Sequence, residues 1–216
     1  IIDSLIEHYD RNPSNIAVIR NNGHITLSPM FDNGTSLGVS IPKEAVQEHV
    51  NNEEWFKYIR EKGKSKIGVE GKRHCHYDKF LDYILSNYYE DVTDFINVIQ
   101  EKLTKENVTK ILSHGNYSDM DNIFKELITN KIAVNVKGLV QKNQEYKDKY
   151  IIEQYMRSPN AYESLKEKID SQALQSIVPE INNCIDCPQR NHYHIYSVDD
   201  YMFHCIEEIN NIEKTA

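Results

Sequence analysis

Apolar side chains recur at Ile1, Ile2, Leu5 and Ile6, then give way to a polar run from Tyr9 to Asn15 that contains Pro13. That spacing predicts the end of a helix over 1–8, with Leu5 and Ile6 inward and Glu7 outward. The proline and its flanking asparagines break the helix. Ile16-Ala17-Val18-Ile19 reads as a short buried strand, Asn21-Asn22-Gly23 as a turn that tolerates positive φ, and His24 to Leu27 as the returning strand. Met30-Phe31-Asp32-Asn33-Gly34 forms a second polar turn after Pro29.

Beyond residue 40 the pattern is helical. Pro42 can open a helix carrying Ala45, Val46, Val50, Trp55, Phe56 and Ile59. Further apolar faces are predicted at Phe80, Tyr83, Ile84 and Leu85, then at Val92, Phe95, Ile96 and Ile99. Ile123, Leu127, Ile128 and Ile132 repeat at helical spacing behind Ser118-Asp119. Ser158-Pro159 has the form of a cap followed by proline at the first helical position. Ser197-Val198-Asp199-Asp200 opens a last helix as a capping box with Asp in place of Glu. Lysines and polar residues between Lys142 and Lys149 interrupt the apolar rhythm. The expected organisation is a mainly α body over 1–150 with one β-hairpin at its edge, and a helical C-terminal extension over 151–216.

Composition narrows the field. Of 216 residues, 39% are hydrophobic and 27% charged, which is enough apolar matter for a packed core. A net charge of −8 argues against nucleic acid as a partner, because phosphate binding needs a basic face. No apolar run approaches the roughly 20 residues of a membrane helix, so no membrane partner is expected. Four cysteines, three of them between Cys184 and Cys205, do not form a disulfide framework for a chain of this length, and a reducing cytoplasm is the expected compartment. The chain opens at Ile1, without methionine and directly on an apolar run, so it is expected to be a piece of a longer protein.

The polar turns carry the candidate chemistry. Phosphoryl transfer needs a carboxylate to accept the attacking hydroxyl's proton and oxygen ligands for magnesium. Protein kinases place base and ligand on one loop, H-R-D-x-x-x-x-N, with a second metal-binding aspartate in D-F-G after a short hairpin. Here His8-Tyr9-Asp10 fills the first positions, Asn15 falls in register, and Phe31-Asp32-Asn33-Gly34 supplies the second aspartate.

The stretch "DRNPSNIAVIRNN…ITLSPMFDNGTSLG" resembles the catalytic core of the HipA-like serine/threonine kinases, which share with phosphatidylinositol kinases a loop of the D-R-x-x-x-N type. The likeness spans about Asp3 to Gly38, and Asn12 stands where the family usually has histidine. It implies a helical kinase-like large lobe with Asp10 as base, Asn15 and Asp32 on Mg2+, and ATP as the nucleotide. Gly34, Ser36 and Leu37 would shape the loop. The chain contains no recognisable small lobe, neither a glycine-rich loop over phosphates nor a strand lysine paired with a helix glutamate. The expectation is therefore a C-terminal lobe that is inactive in isolation, whose partner is the missing N-terminal lobe or another protein, with a protein substrate. The face around Ala17, Leu27, Met30 and Phe31 would stay open and favour self-association. The alternatives are a non-catalytic interaction module of the same fold, or a phosphatidylinositol or small-molecule kinase.

Two other clusters have simpler readings. Cys184-Ile185-Asp186-Cys187 presents two thiols on one turn, and His204 with Cys205, or His192 with His194, could complete a zinc site. The preferred reading is reduced cysteines in a loop and a helix. Lys62 to Lys66 reads as a solvated basic loop, which Lys72 and Arg73 extend into a modest anion patch.

Overall fold

A computed structural model of the chain describes residues 1–71, 74–189 and 195–215. The fold is mainly helical, with one two-stranded antiparallel sheet. The chain divides into two compact units, Ile1–Gln144 and Glu145–Ala216. The division falls inside the polar stretch from Lys142 to Lys149, and both that stretch and residue 150 lie within one helix spanning Asn122–Met156.

The first unit opens with α1 (Ile2–Ile6), closed by Glu7 in the left-handed conformation at φ 53°. Glu7 is buried, not outward, because Lys131 meets it in an ion pair of 2.5 Å. Asn135 donates to the Leu5 carbonyl at 2.9 Å and to Glu7 Oε1 at 3.2 Å, while the Leu37 amide donates to the Ile6 carbonyl at 2.8 Å. The carbonyls that a helix leaves unpaired at its C-terminus thus find partners far away in sequence.

After a 3-10 turn (Pro13–Asn15), β1 (Val18–Asn21) pairs with β2 (His24–Leu27) in the register Val18↔Leu27 to Asn21↔His24. Asn22 and Gly23 both have positive φ (47° and 83°), as a two-residue hairpin turn compatible with strand twist requires. The Ser28 amide extends the ladder by donating to the Ala17 carbonyl at 2.9 Å. The strands are exposed along their whole length, where the apolar run predicted a buried strand. Two strands have no second layer of their own to cover them, so β-branched residues here mark strand geometry and not a core.

The expected helix from Pro42 is two helices, α2 (Lys43–His49) and α3 (Glu53–Lys62), separated at Asn52, whose side chain caps α3 by accepting from the Trp55 amide at 3.0 Å. Val46, Val50, Phe56 and Leu127 form a core with Ile41, Trp55, Ile123 and Phe124 packed against it. Next come α4 (Tyr77–Asn87), α5 (Tyr89–Lys102) and α6 (Lys105–Leu112). The buried stripe of α4 is Tyr77, Leu81 and Leu85, four residues apart and offset from the predicted face. On α5 Ile96 and Ile99 are buried, as the periodicity predicts, while Phe95 is exposed.

The long helix α7 (Asn122–Met156) begins beyond Asp121, which accepts from the Ile123 amide at 3.2 Å, so the start signal is Asp121 and not Ser118. The second unit contains α8 (Ala161–Asp170), α9 (Ala173–Ile177) and α10 (Val198–Thr215). Asn160, not Ser158, precedes α8, and Pro159 lies outside the helix. Ser197 caps α10 as expected, its hydroxyl accepting from the Asp200 amide at 3.4 Å. Leu165, Ile169, Leu174, Ile181 and Phe203 make this unit's core. Among the described residues no helix is long and apolar enough to cross a membrane.

Candidate functional site

The two polar turns flanking the hairpin meet. The hairpin returns the chain on itself, and Asn15 Nδ2 donates to Asp32 Oδ2 at 2.8 Å. Asn15 is buried on the 3-10 turn, whereas Asp32 is exposed at φ 55°, a left-handed conformation that aspartate tolerates better than most residues.

Arg11 fastens the two turns together. Its guanidinium is buried, donates to both oxygens of Asp3 at 2.9–3.2 Å, and reaches across to the Phe31 carbonyl and Asn33 Oδ1, both at 2.7 Å. Hydrogen bonding to Asp3 raises the Arg11 pKa above its ordinary value against the opposing effect of burial. A planar fork with five donors suits this task, and a lysine could not reproduce it. His8 adds a second tie, its Nδ1 lying 2.9 Å from the Thr35 hydroxyl, while the Tyr77 hydroxyl donates to the His8 carbonyl. Burial, then the Arg11 charge, push the His8 pKa below its ordinary value, so the ring is neutral at pH 7. Its Nε2 is buried without a hydrogen-bond partner.

Asp10 stands at the edge of this cluster, half-exposed, and forms an ion pair with Lys66. The hydrogen bond from Lys66, then its charge, hold the Asp10 carboxyl below the usual range, keeping it ionised at neutral pH. Lys66 belongs to the loop read from sequence as merely solvated. Lys72 and Arg73 lie outside the described residues.

The Asn15–Asp32 pair supplies one carboxylate and one amide on an open turn. One carboxylate and one amide oxygen are ligands of the kind that magnesium takes beside waters and substrate phosphates. However, Asn15 turns its Nδ2 toward Asp32, and among the described residues no three His, Cys, Asp or Glu side chains could hold a metal ion. Beside the pair is a pocket of about 180 Å³ with apolar walls from Ile16, Ala17, Leu27, Met30 and Ile67, and Arg11 and Asn15 at its polar side. Leu27 is 73% exposed and Met30 and Phe31 each 43%, so the apolar face expected there is open.

Of the motif's remaining residues, Ser36 is buried with its hydroxyl unpartnered, and Leu37 takes a left-handed φ of 59°. The glycine that the backbone demands is Gly38, at φ 79°, where a Cβ would come within 2.7 Å of Ile41 Cδ1. A Cβ on Gly34 would meet open space, so steric crowding does not require glycine there.

The C-terminal cysteines have another organiser. Asp199 is fully buried and accepts from the Asp186 amide at 3.1 Å and from Lys166 at 3.3 Å, closing the Cys184–Cys187 turn onto the start of α10. His204 stacks on Tyr162 with ring centroids 4.1 Å apart, Cys184 packs against the apolar core, and Cys205 is exposed. Among the described residues no three His, Cys, Asp or Glu side chains could hold a metal ion, so Cys184, Cys187, His204 and Cys205 do not assemble the zinc site that their spacing suggested. His192 and His194 lie outside the described residues.

Residues that the sequence reading passed over do much of the positioning. Arg11 and Asp3 were legible as an opposite-charge pair eight residues apart, but nothing in the sequence pairs Lys66 with Asp10. No family model, no curated protein and no solved structure matches the chain.

Proposed function

We propose that residues 3–38 are the catalytic edge of an ATP-dependent phosphotransferase, the large lobe of a HipA-like serine/threonine protein kinase. The observation that carries this reading is the 2.8 Å contact between Asn15 and Asp32 across the hairpin, with buried Arg11 bridging both turns. Asn15 and Asp32 hold magnesium, which when bound neutralises phosphate charge. Asp10 is ionised, the form in which a carboxylate accepts a hydroxyl proton, and half-exposed, so an acceptor hydroxyl can reach it. The apolar pocket beside them offers a flat base a surface to lie on, and ATP is the nucleotide of this reading.

The elements that cover the phosphates belong to a separate N-terminal lobe in this reading, and the exposed hairpin face with Leu27, Met30 and Phe31 is where it or a partner protein rests. Residues 1–216 alone are then inactive. The same open face favours a second reading, a non-catalytic docking module that self-associates or binds a partner. In the phosphotransferase reading the kinase works in the cytoplasm.

Phosphate transfer from γ-labelled ATP to serine and threonine, autophosphorylation included, decides between these readings in the full-length protein. We expect transfer by the wild type and a fall on the order of a hundredfold or more in Asp10→Ala. Transfer at the wild-type rate by Asp10→Ala rejects the assignment of the base. No transfer by the wild type favours the docking module.

A further inference from the structure

We propose that Lys66 is a catalytic residue of the phosphotransfer site, its ammonium binding the phosphoryl group in flight between nucleotide and acceptor. This rests on the phosphotransferase reading above. The starting observation is the ion pair between Lys66 and Asp10, formed across 56 residues of sequence. An acceptor hydroxyl must lie within about 3 Å of the base that takes its proton, and the phosphorus it attacks within about 3.5 Å of that hydroxyl. A cation already touching Asp10 therefore sits at most one side-chain swing from the transferring group. The Lys66 ammonium has three donors, and Asp10 occupies one.

The backbone fixes the place from which Lys66 reaches. Ser65, its neighbour, is buried; the Ser65 amide donates to the Cys75 carbonyl at 2.8 Å and its hydroxyl accepts from the Ile67 amide at 3.0 Å. Ile67, on the other side, lines the apolar pocket beside Asn15. Lys64 bridges to His76, and Tyr77 next to it donates to the His8 carbonyl in the catalytic loop. The loop is thus tied to the site through Tyr77 on one side of Lys66 and borders the pocket with Ile67 on the other, while the Lys66 side chain itself is 42% exposed.

In the step proposed, the acceptor hydroxyl oxygen forms a bond to the γ-phosphorus as the bond from that phosphorus to the β,γ-bridging oxygen breaks. The electron pair of the broken bond leaves with ADP, and the hydroxyl proton passes to the Asp10 carboxylate. Negative charge gathers on the oxygens of the transferring group and on the bridging oxygen, where a cation lowers the barrier. Lys66 meets that charge, and releases Asp10 to the acceptor hydroxyl as it does so.

The test compares Mg-ATP with Mg-ADP in full-length wild type, Lys66→Met and Lys66→Arg, by calorimetric titration and by kcat. A γ-phosphate contact predicts that Lys66→Met weakens Mg-ATP binding by about tenfold while Mg-ADP changes by less than about twofold. It also predicts a fall in kcat on the order of a hundredfold, which Lys66→Arg partly restores. A purely structural role would move both nucleotides together. Equal effects on ATP and ADP, unchanged binding and kcat, or a rise in kcat when an inhibitory latch is removed would each overturn the proposal while leaving the phosphotransferase reading in place. A wild-type protein that binds neither nucleotide would overturn both.

Discussion

The hairpin edge and the C-terminal unit are held by different kinds of interaction. Residues 3–38 have little regular structure, and buried polar groups set their form: Arg11 with Asp3, Glu7 with Lys131, and Asn135 on α1's free carbonyls. The unit from Glu145 onward rests on Leu165, Ile169, Leu174, Ile181 and Phe203, with one buried charge cluster at Asp199. Apolar contacts fix helices against one another but do not specify where loop backbones go. Directional hydrogen bonds from buried charges do, at the cost of desolvating those charges. The edge therefore rests on a few directional contacts, and the C-terminal unit chiefly on apolar packing.

The largest test of that contrast is Arg11→Ala. It removes five hydrogen bonds at once and leaves Asp3, the Phe31 carbonyl and Asn33 without their cation. Breaking a buried pair from one side costs about 3–5 kcal/mol. Urea unfolding should register this loss, and native hydrogen exchange should show the Leu37 and Asn15 amides losing protection while those of α8 and α10 keep theirs. A loss below about 1 kcal/mol would mean that the turns are held by something other than this guanidinium.

A smaller effect, with the opposite location, comes from Asp199. Burial pushes its carboxyl up, but hydrogen bonds from Ser197 and Lys166, the Lys166 charge and the Asp186 amide outweigh burial and hold it below the ordinary value. A depressed carboxyl stabilises the fold above the unfolded pKa, about 3.9, and that contribution drains away as pH falls through the folded value. Lys166, raised chiefly by its hydrogen bond to Asp200, contributes below about 10.4 and loses its contribution at higher pH. Stability of this unit should therefore be flat near neutrality and fall on the acid side. Asp199→Asn should lose about 1–3 kcal/mol at pH 7 and show a shallower acid limb in pH-dependent unfolding. An acid limb as steep as that of the wild type would remove Asp199 from the account.

The same contrast explains what could be read from the sequence. Helical periodicity found the buried faces of α5 and of the first half of α7, because Ile96, Ile99, Leu127 and Ile132 are buried by the rule that predicts helices, but not where α7 begins or how far it runs. The hairpin and its Asn22-Gly23 turn were legible from local backbone preference. Burial of the strands was not, since β-branched residues favour extended backbone whether or not anything covers them. Asn52 divides α2 from α3 by a side-chain cap inside an otherwise unbroken apolar pattern. At the site, the spacing around the hairpin was enough to anticipate Asn15 meeting Asp32. The pairing of Lys66 with Asp10 and of Lys131 with Glu7 depends on tertiary placement across 56 and 124 residues, for which a single sequence carries no signal. The Cys184–Cys187 spacing left zinc open beside the preferred reading of reduced cysteines, and what closes the turn, a carboxylate twelve residues beyond it, had no sequence signal.

In the phosphotransferase reading proposed above, Asp10 and Asp32 have separate duties on one edge, proton acceptance and metal binding. Calorimetric titration of Mg-ATP into full-length Asp10→Ala and Asp32→Ala measures that separation directly. Asp10→Ala should bind Mg-ATP within about threefold of the wild type, because a base is not needed to hold the nucleotide. Asp32→Ala should lose measurable binding, because its carboxylate is the one that Asn15 meets across the hairpin. Equal binding by the two variants would contradict the account.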